Sequence, residues 1–170
     1  FIPTNLNRNE HLFRQSIEWA KAGGIMDITS GVSPASGSAH AVKPSTAVRR
    51  ALDEGVEISQ ITMSSDGNGS MPIFDEKGNT IGVGVASQAS ILEELRDMVL
   101  QEKIALELAV QIVTSNVARI LKLSQKGHAA AGFDADFTVV DKDFRLRHVW
   151  ARGQHMVKNG APIVFGTFEK

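Results

Sequence analysis

Apolar positions along the first two thirds of the chain switch between helical and strand spacing. Residues 1–5 read as a short strand ending in a polar loop. Asn7 and Glu10 have the spacing of a helix N-cap and its reciprocal partner, and Leu12, Phe13, Ile17 and Ala20 then form one apolar helical face. Gly23 and Gly24 end that helix. Residues 25–30 give the next strand, followed by the small-residue loop 31–41. Pro44 suits the first turn of a second helix and Gly55 its end. Residues 56–64 predict a third strand centred on Ile61, Thr62 and Met63. Strand, helix, strand, helix, strand with short connections is the pattern of parallel βαβ units. An excursion with a turn at residues 75–79 follows. Two helices come next, with apolar stripes at Ile91, Leu92, Leu95, Met98 and Val99, and at Leu106, Ala109, Val110, Val113, Val117, Ile120 and Leu121. From about Lys126 the character changes to short strands at 137–140, 146–150 and 155–157, separated by Asp, Gly and Asn turns.

These elements predict an α/β fold over residues 1–122 and a small all-β segment over residues 123–170. The composition adds exclusions. The chain has 170 residues and a formal net charge of -1, with scattered basic residues, which gives no electrostatic case for a nucleic-acid partner. No apolar run reaches the length of a membrane span. The absence of cysteine removes disulfides, thiolate zinc ligation and a cysteine nucleophile, and agrees with a cytoplasmic protein. The chain opens on Phe1-Ile2-Pro3 without a signal-peptide pattern, as if in the middle of a domain.

Ligands of parallel α/β folds meet the C-terminal ends of the strands. Residues 4–9, 29–31 and 64–70 occupy such places. Asp66 is the candidate for chemistry: a carboxylate there can bind a metal and accept a proton from a metal-bound water. Taken alone, an Asp in Asp-Gly-Asn-Gly is more often a turn residue than a catalytic one. Arg8 can grip a substrate carboxylate through its forked guanidinium, or be a plain surface arginine. His11, His40, His128, His148 and His155 form no His-x-His pair, end none of the parallel strands, and read as solvated or structural. Asp27, inside the second strand, reads as a hydrogen-bonded buried carboxylate without a catalytic role. Ser64-Ser65 lacks a nucleophile elbow, and Gly67-x-Gly69 lacks the rest of a dinucleotide fingerprint.

Pro3-Thr4-Asn5-Leu6-Asn7-Arg8-Asn9, Asp27-Ile28-Thr29-Ser30 and Ser64-Ser65-Asp66-Gly67-Asn68-Gly69-Ser70 together resemble the bacterial isoaspartyl dipeptidases. Their amidohydrolase superfamily is also resembled in Thr114-Ser115-Asn116-Val117-Ala118, in Lys126-Gly127, in Gly132-Phe133-Asp134-Ala135-Asp136, in Ala151-Arg152-Gly153 and in the closing Gly166-Thr167-Phe168-Glu169. The resemblance runs through the whole chain in order. It implies an eight-stranded (β/α)8 barrel, of which this chain carries the last three strand-helix units, and a small β-sandwich segment at the C-terminus. It also implies a two-zinc centre that hydrolyses β-aspartyl dipeptides. Asp66 then becomes the aspartate after the last barrel strand, which touches a metal, takes a proton from the bridging hydroxide and hands it to the leaving amine. Arg8 and Ser70 match positions that bind substrate carboxylates.

Two departures follow. The family's other metal ligands lie upstream of Phe1, and the histidine expected between Thr4 and Leu6 is Asn5, whose amide oxygen is a poor substitute for imidazole at zinc. The chain alone is therefore expected to hold no tight zinc and to be inactive by itself. Dihydroorotase-like or hydantoinase-like activity and a non-catalytic binding remnant are the alternatives. Ile2, Ile25, Met26, Ile28, Ile61 and Met63 suit a barrel interior or the space under helices. Some of that surface is expected to be exposed or covered by a missing N-terminal half or a second copy, as in a homo-oligomer.

Overall fold

The computed structural model describes residues 1–75, 77 and 79–167; Phe168 and Glu169 of the closing motif, and Glu76 and Gly78 of the predicted turn, lie outside these. The chain forms two compact units, residues 1–117 and 118–170. In the first, α1 (Glu10–Lys21) leads to β1 (Met26–Thr29), α2 (Pro44–Asp53) and β2 (Ile61–Ser64). β1 and β2 pair in parallel, with Met26 opposite Ile61 and Thr29 opposite Ser64.

Alternation along these two strands sorts their side chains. Met26, Ile28, Ile61 and Met63 share one face and are buried with Phe13 and Ile17 of α1 and Ala47 and Val48 of α2. They therefore lie under helices; of the six apolar residues expected to be at risk, Ile25 is half-buried and Ile2 exposed. The opposite face is polar. Asp27, buried, accepts hydrogen bonds from Thr62 Oγ1 at 2.8 Å, Thr4 Oγ1 at 2.7 Å and Ser64 Oγ. A buried carboxylate is costly unless hydrogen-bonded, and three hydroxyls meet that need.

Several sequence expectations are corrected. Residues 1–5 form an extended edge rather than a strand: Asp27 N donates to Pro3 O at 3.3 Å and Leu6 N to Asp27 O at 3.4 Å, and Pro3 has no N–H with which to extend the ladder. The cap of α1 is Asn9, whose side chain accepts from Leu12 N. Asn7 is instead fully buried. Its Nδ2 donates to the carbonyls of Thr29, Val32 and Val42, and its Oδ1 accepts from Thr29 N. The third strand starts at Ile61, because residues 58–60 make a 3-10 turn.

An antiparallel hairpin follows, β3 (Ser70–Phe74) with β4 (Thr80–Val85). Then come α3 (Ser90–Leu100), α4 (Leu106–Val113) and α5 (Ser115–Ile120). The long helix expected at 106–121 is broken at Thr114, whose ψ is -90°. The break places Asn116 so that its Nδ2 donates to the carbonyls of Ile58 and Ile61 at 2.8 and 2.9 Å, fixing the entry to β2. Lys43 precedes α2 without capping it. Glu94 of α3 serves that end, accepting from Ser45 N at 2.8 Å.

The second unit is one antiparallel sheet in the order β5 (Phe137–Val140), β6 (Leu146–Ala151), β7 (Gln154–Lys158), β8 (Ala161–Pro162). Its superfamily-like aspartates are structural. Lys126 Nζ pairs with Asp134 at 2.8 Å and with Asp136, and Asp136 Oδ1 accepts from Arg152 N at 2.6 Å in the β6–β7 turn.

Candidate functional site

The segment 5–8, the loop after β1 and the loop after β2 come together at the C-terminal ends of the parallel pair. Ser30 N donates to Ser64 O at 2.8 Å, continuing the ladder one step past the strands. Gly31 lets the two loops touch: a Cβ there would stand 2.7 Å from Ser65 O. Asp66 opens a turn in the left-handed region, φ 54°, with its carbonyl accepting from Gly69 N at 2.9 Å. The turn expected from Asp-Gly-Asn-Gly is thus present, and it presents Asp66 to solvent. Its carboxylate makes no hydrogen bond or ion pair among the described residues. Gly69 is required beside it, because a Cβ would meet Asp66 O at 2.8 Å and Oδ1 at 3.0 Å.

Arg8, Asp66 and Ser70 line one cleft of about 470 Å³, together with His40 and Asp75 and the apolar Val32, Met71 and Pro72. All three sequence-chosen residues are exposed at its wall. Asn5 also lies in the left-handed region, φ 58°. Its N–H donates to Thr29 Oγ1 at 3.2 Å, and its Oδ1 accepts from Arg8 Nη2 at 3.3 Å. Arg8 N returns to Asn5 O at 3.1 Å. The cleft thus offers a guanidinium steadied by an amide, a hydroxyl and a carboxylate. That set can bind a small anionic molecule and move a proton.

His40, which reads from the sequence as solvated or structural, stands at the wall of this cleft. The loop 31–41 has no periodicity from which its direction could be read. Asp27 stays outside the cleft lining, locked to its three hydroxyls. A larger cleft of about 670 Å³ is lined by Ser30, Lys43, Glu94, Arg96 and Asp97. Its two cations are both engaged by one carboxylate: Asp97 pairs with Lys43 at 2.7 Å and Arg96 at 2.8 Å.

Among the described residues no three His, Cys, Asp or Glu side chains gather as a metal site. Asp66 alone stands at an expected metal position, and Asn5 is turned to Arg8. These residues do not by themselves fit a zinc centre, which normally draws three or more protein ligands.

Residues 11–167 match the amidohydrolase family. Among solved structures, a β-aspartyl dipeptidase from the thermophilic, keratin-degrading Fervidobacterium islandicum AW-1, in complex with a β-Asp-Leu dipeptide, is 34% identical, with a TM-score of 0.79. That similarity covers 98% of this chain and 42% of the other. A second structure of β-aspartyl dipeptidase from the same organism is 30% identical, with a TM-score of 0.76, covering 98% of this chain and 40% of that one. An enamidase of the amidohydrolase superfamily, 16% identical with a TM-score of 0.64 over 95% of this chain and 42% of that one, shares the fold. The chain thus spans about two fifths of the length of the dipeptidases it matches. No helix among the described residues is long and apolar enough to cross a membrane.

Proposed function

Because the chain belongs to the amidohydrolase family, we propose that it supplies the proton-transfer and carboxylate-gripping side of a site that hydrolyses β-aspartyl dipeptides. The observation that carries this reading is the convergence of Arg8, Asp66 and Ser70 on one cleft at the strand ends. The 34% identity to a dipeptidase whose structure contains β-Asp-Leu supports it. In this reading β1, β2 and the extended edge at residues 3–6 are the last three strand positions of a (β/α)8 barrel. Residues 123–170 belong to its small β-sandwich.

The chemistry of this chain's own groups follows from their types. Arg8 and Ser70 hold the substrate's carboxylates, the first by forked charge-assisted bonds and the second by a hydroxyl. Asp66 takes a proton from the attacking water and returns it to the departing amine. The two zinc ions implied by the resemblance would supply an acidified water and a polarised carbonyl. The described residues offer at most Asp66 to hold them, so their remaining ligands are assigned to residues outside this chain. Asn5, bonded to Arg8 in place of a ligand, favours a second reading: a module that binds the dipeptide without cleaving it.

The test is a peptidase assay on the polypeptide that contains this chain, with β-Asp-Leu and its α-linked isomer. Hydrolysis of the β isomer alone is expected. Asp66→Asn should lower kcat about a hundredfold to ten-thousandfold, and Arg8→Met should chiefly raise KM. Full turnover by Asp66→Asn overturns the assignment. Saturable binding of β-Asp-Leu without any hydrolysis establishes the second reading.

A further inference from the structure

The sheet of the second unit carries a cluster that hydrolysis does not use. Along β6 and β7, Val149 faces Val157 but Trp150 faces His155, so the pairing takes up one extra residue on β7. Such a bulge re-aims side chains. Here it brings His155 diagonally against His148, with His148 Nδ1 3.2 Å from His155 Nε2. Trp150 stacks on His155 with ring centroids 4.4 Å apart and planes 7° from parallel. All three side chains are half-buried, reachable from solvent yet restrained.

We propose that His148 Nδ1 and His155 Nε2 form an exchangeable two-imidazole site for a borderline divalent transition metal: Cu2+, Ni2+ or Zn2+. The separation of the nitrogens carries the proposal. Two nitrogens on one tetrahedral zinc, each at roughly 2.0–2.1 Å, stand about 3.3–3.4 Å apart. Neighbouring ligands of a square-planar metal stand about 2.8–2.9 Å apart. The observed distance falls between these, so both rings reach one ion by small rotations. Imidazole is also the ligand type these metals prefer. In the present contact one ring donates to the other. Metal binding moves that ring's proton to its other nitrogen, a tautomer change in a neutral pair with no net proton loss.

The Trp150 stack fixes one ring in advance, which reduces the rotamer entropy lost on binding. Lys158 stands opposite His148 in the register but is exposed, and its long stem lets the ammonium turn to water. No carboxylate completes a three-ligand group among the described residues. Two protein ligands leave positions for water or an outside donor, so the ion exchanges and is lost on dialysis.

The pair has its own reporter, because Trp150 stacks on one ligand and paramagnetic Ni2+ or Cu2+ quenches a nearby indole. The experiment titrates NiCl2 into the chain carrying Trp19→Phe, so that Trp150 is the emitting indole, with calorimetry on the unmodified chain alongside. The expected result is saturable quenching at one ion per chain, reversed by a chelator. Losing even a supporting partner costs a metal site about ten- to a hundredfold. Loss of either ligand, in His148→Asn or in His155→Phe (which keeps the ring stack), should therefore weaken binding at least about tenfold. His11→Gln and His128→Gln should leave it unchanged. Unsaturable quenching, or equal affinity in both ligand variants with circular dichroism unaltered, would overturn the site and leave the pair as a cross-strand hydrogen bond.

Discussion

Replacing Asn7 should unlock the whole site. Its side chain makes four hydrogen bonds, three donated to the carbonyls of Thr29, Val32 and Val42 and one accepted from Thr29 N. The residue is fully buried, so no water replaces a lost partner. Each such bond is worth roughly 0.5–1.5 kcal/mol net, and a buried group left unpaired costs roughly 1–3 kcal/mol. Asn7→Ala should therefore cost about 4 kcal/mol, a large part of the roughly 5–15 kcal/mol that holds a typical domain. With a urea dependence of about 2 kcal/mol per molar, the midpoint should fall by about 2 M. The two tryptophans separate the units: Trp19 lies in α1 and Trp150 in β6. In a Trp150→Phe background the Trp19 transition should show the full shift, and in a Trp19→Phe background the Trp150 transition should barely move. Asn7→Asp is the sharper control. It keeps the acceptor for Thr29 N but turns a carboxylate toward three carbonyl oxygens, so at neutral pH it should be at least as destabilising as alanine. A midpoint shift below about 0.5 M for Asn7→Ala would show that the surrounding backbone finds other partners and that the side chain is not the clasp.

Two carboxylates at the α2–α3 contact should give opposite pH slopes. Glu94 is held above the ordinary carboxylate range chiefly by burial, with Asp97 as a like-charged neighbour, against the hydrogen bond from Ser45 N–H. Its contribution is complete below its unfolded pKa and fades as pH rises through the folded value, so Glu94→Gln should flatten that decline in urea midpoints. At Asp97 burial is the largest single influence and pushes upward, but hydrogen bonds from Lys43 and Arg96 outweigh it and leave the group below its ordinary value. Its contribution is present above the unfolded pKa and lost as pH falls through the folded one, and Asp97→Asn should remove that acid-side loss. Gly69→Ala should displace Asp66, lowering kcat in the active polypeptide while leaving the urea midpoint of the second unit unchanged. Self-association is expected through the hairpin, where Ile81, Val83 and Val85 are 65%, 71% and 73% exposed. Val83→Lys with Val85→Lys should abolish concentration-dependent light scattering, and unchanged scattering would move the contact elsewhere.

The parallel strand pair was legible because period and punctuation agreed: apolar residues at 26, 28, 61 and 63, with Pro44 and Gly55 bounding the helix between. Asn7 was misassigned because asparagine serves equally as a cap and as a buried backbone clasp. Spacing to Glu10 cannot separate the two; the carbonyls that Asn7 satisfies come from residues 22 to 35 positions away. The break at Thr114 was hidden by an unbroken apolar stripe, since it answers a distant need, the carbonyls of Ile58 and Ile61. Asp66 and Arg8 stood out because each follows a segment that reads as a strand, whereas Ser70 entered only through the family resemblance; the structure brings all three to one cleft. The histidine pair was not legible: residues 148 and 155 meet through a bulge, and a two-residue periodicity carries no sign of where a register will slip.

The polar face of the strand pair explains how a site can be assembled from loops this short. Asp27 reaches Thr4 on one side and Thr62 and Ser64 on the other. Thr4 precedes Asn5, and Ser64 stands two residues before Asp66. One buried carboxylate thus sets the departure points of two site loops, while Thr29 Oγ1, on the same face, receives Asn5 N–H. Asn5 itself turns the chain in the left-handed region, which asparagine enters at less cost than most residues. Its amide oxygen then meets the Arg8 guanidinium three residues on. An imidazole at position 5 has no oxygen to offer that guanidinium. In the proposed reading, Asn5 thus orients Arg8 through its amide oxygen instead of offering an imidazole nitrogen to a metal. Asn5→His separates the two roles. If the amide serves Arg8, the change should raise KM for a β-aspartyl dipeptide whether or not metal content rises with it; if Asn5 is a damaged ligand position, metal content and kcat should rise together and KM should stay where it was.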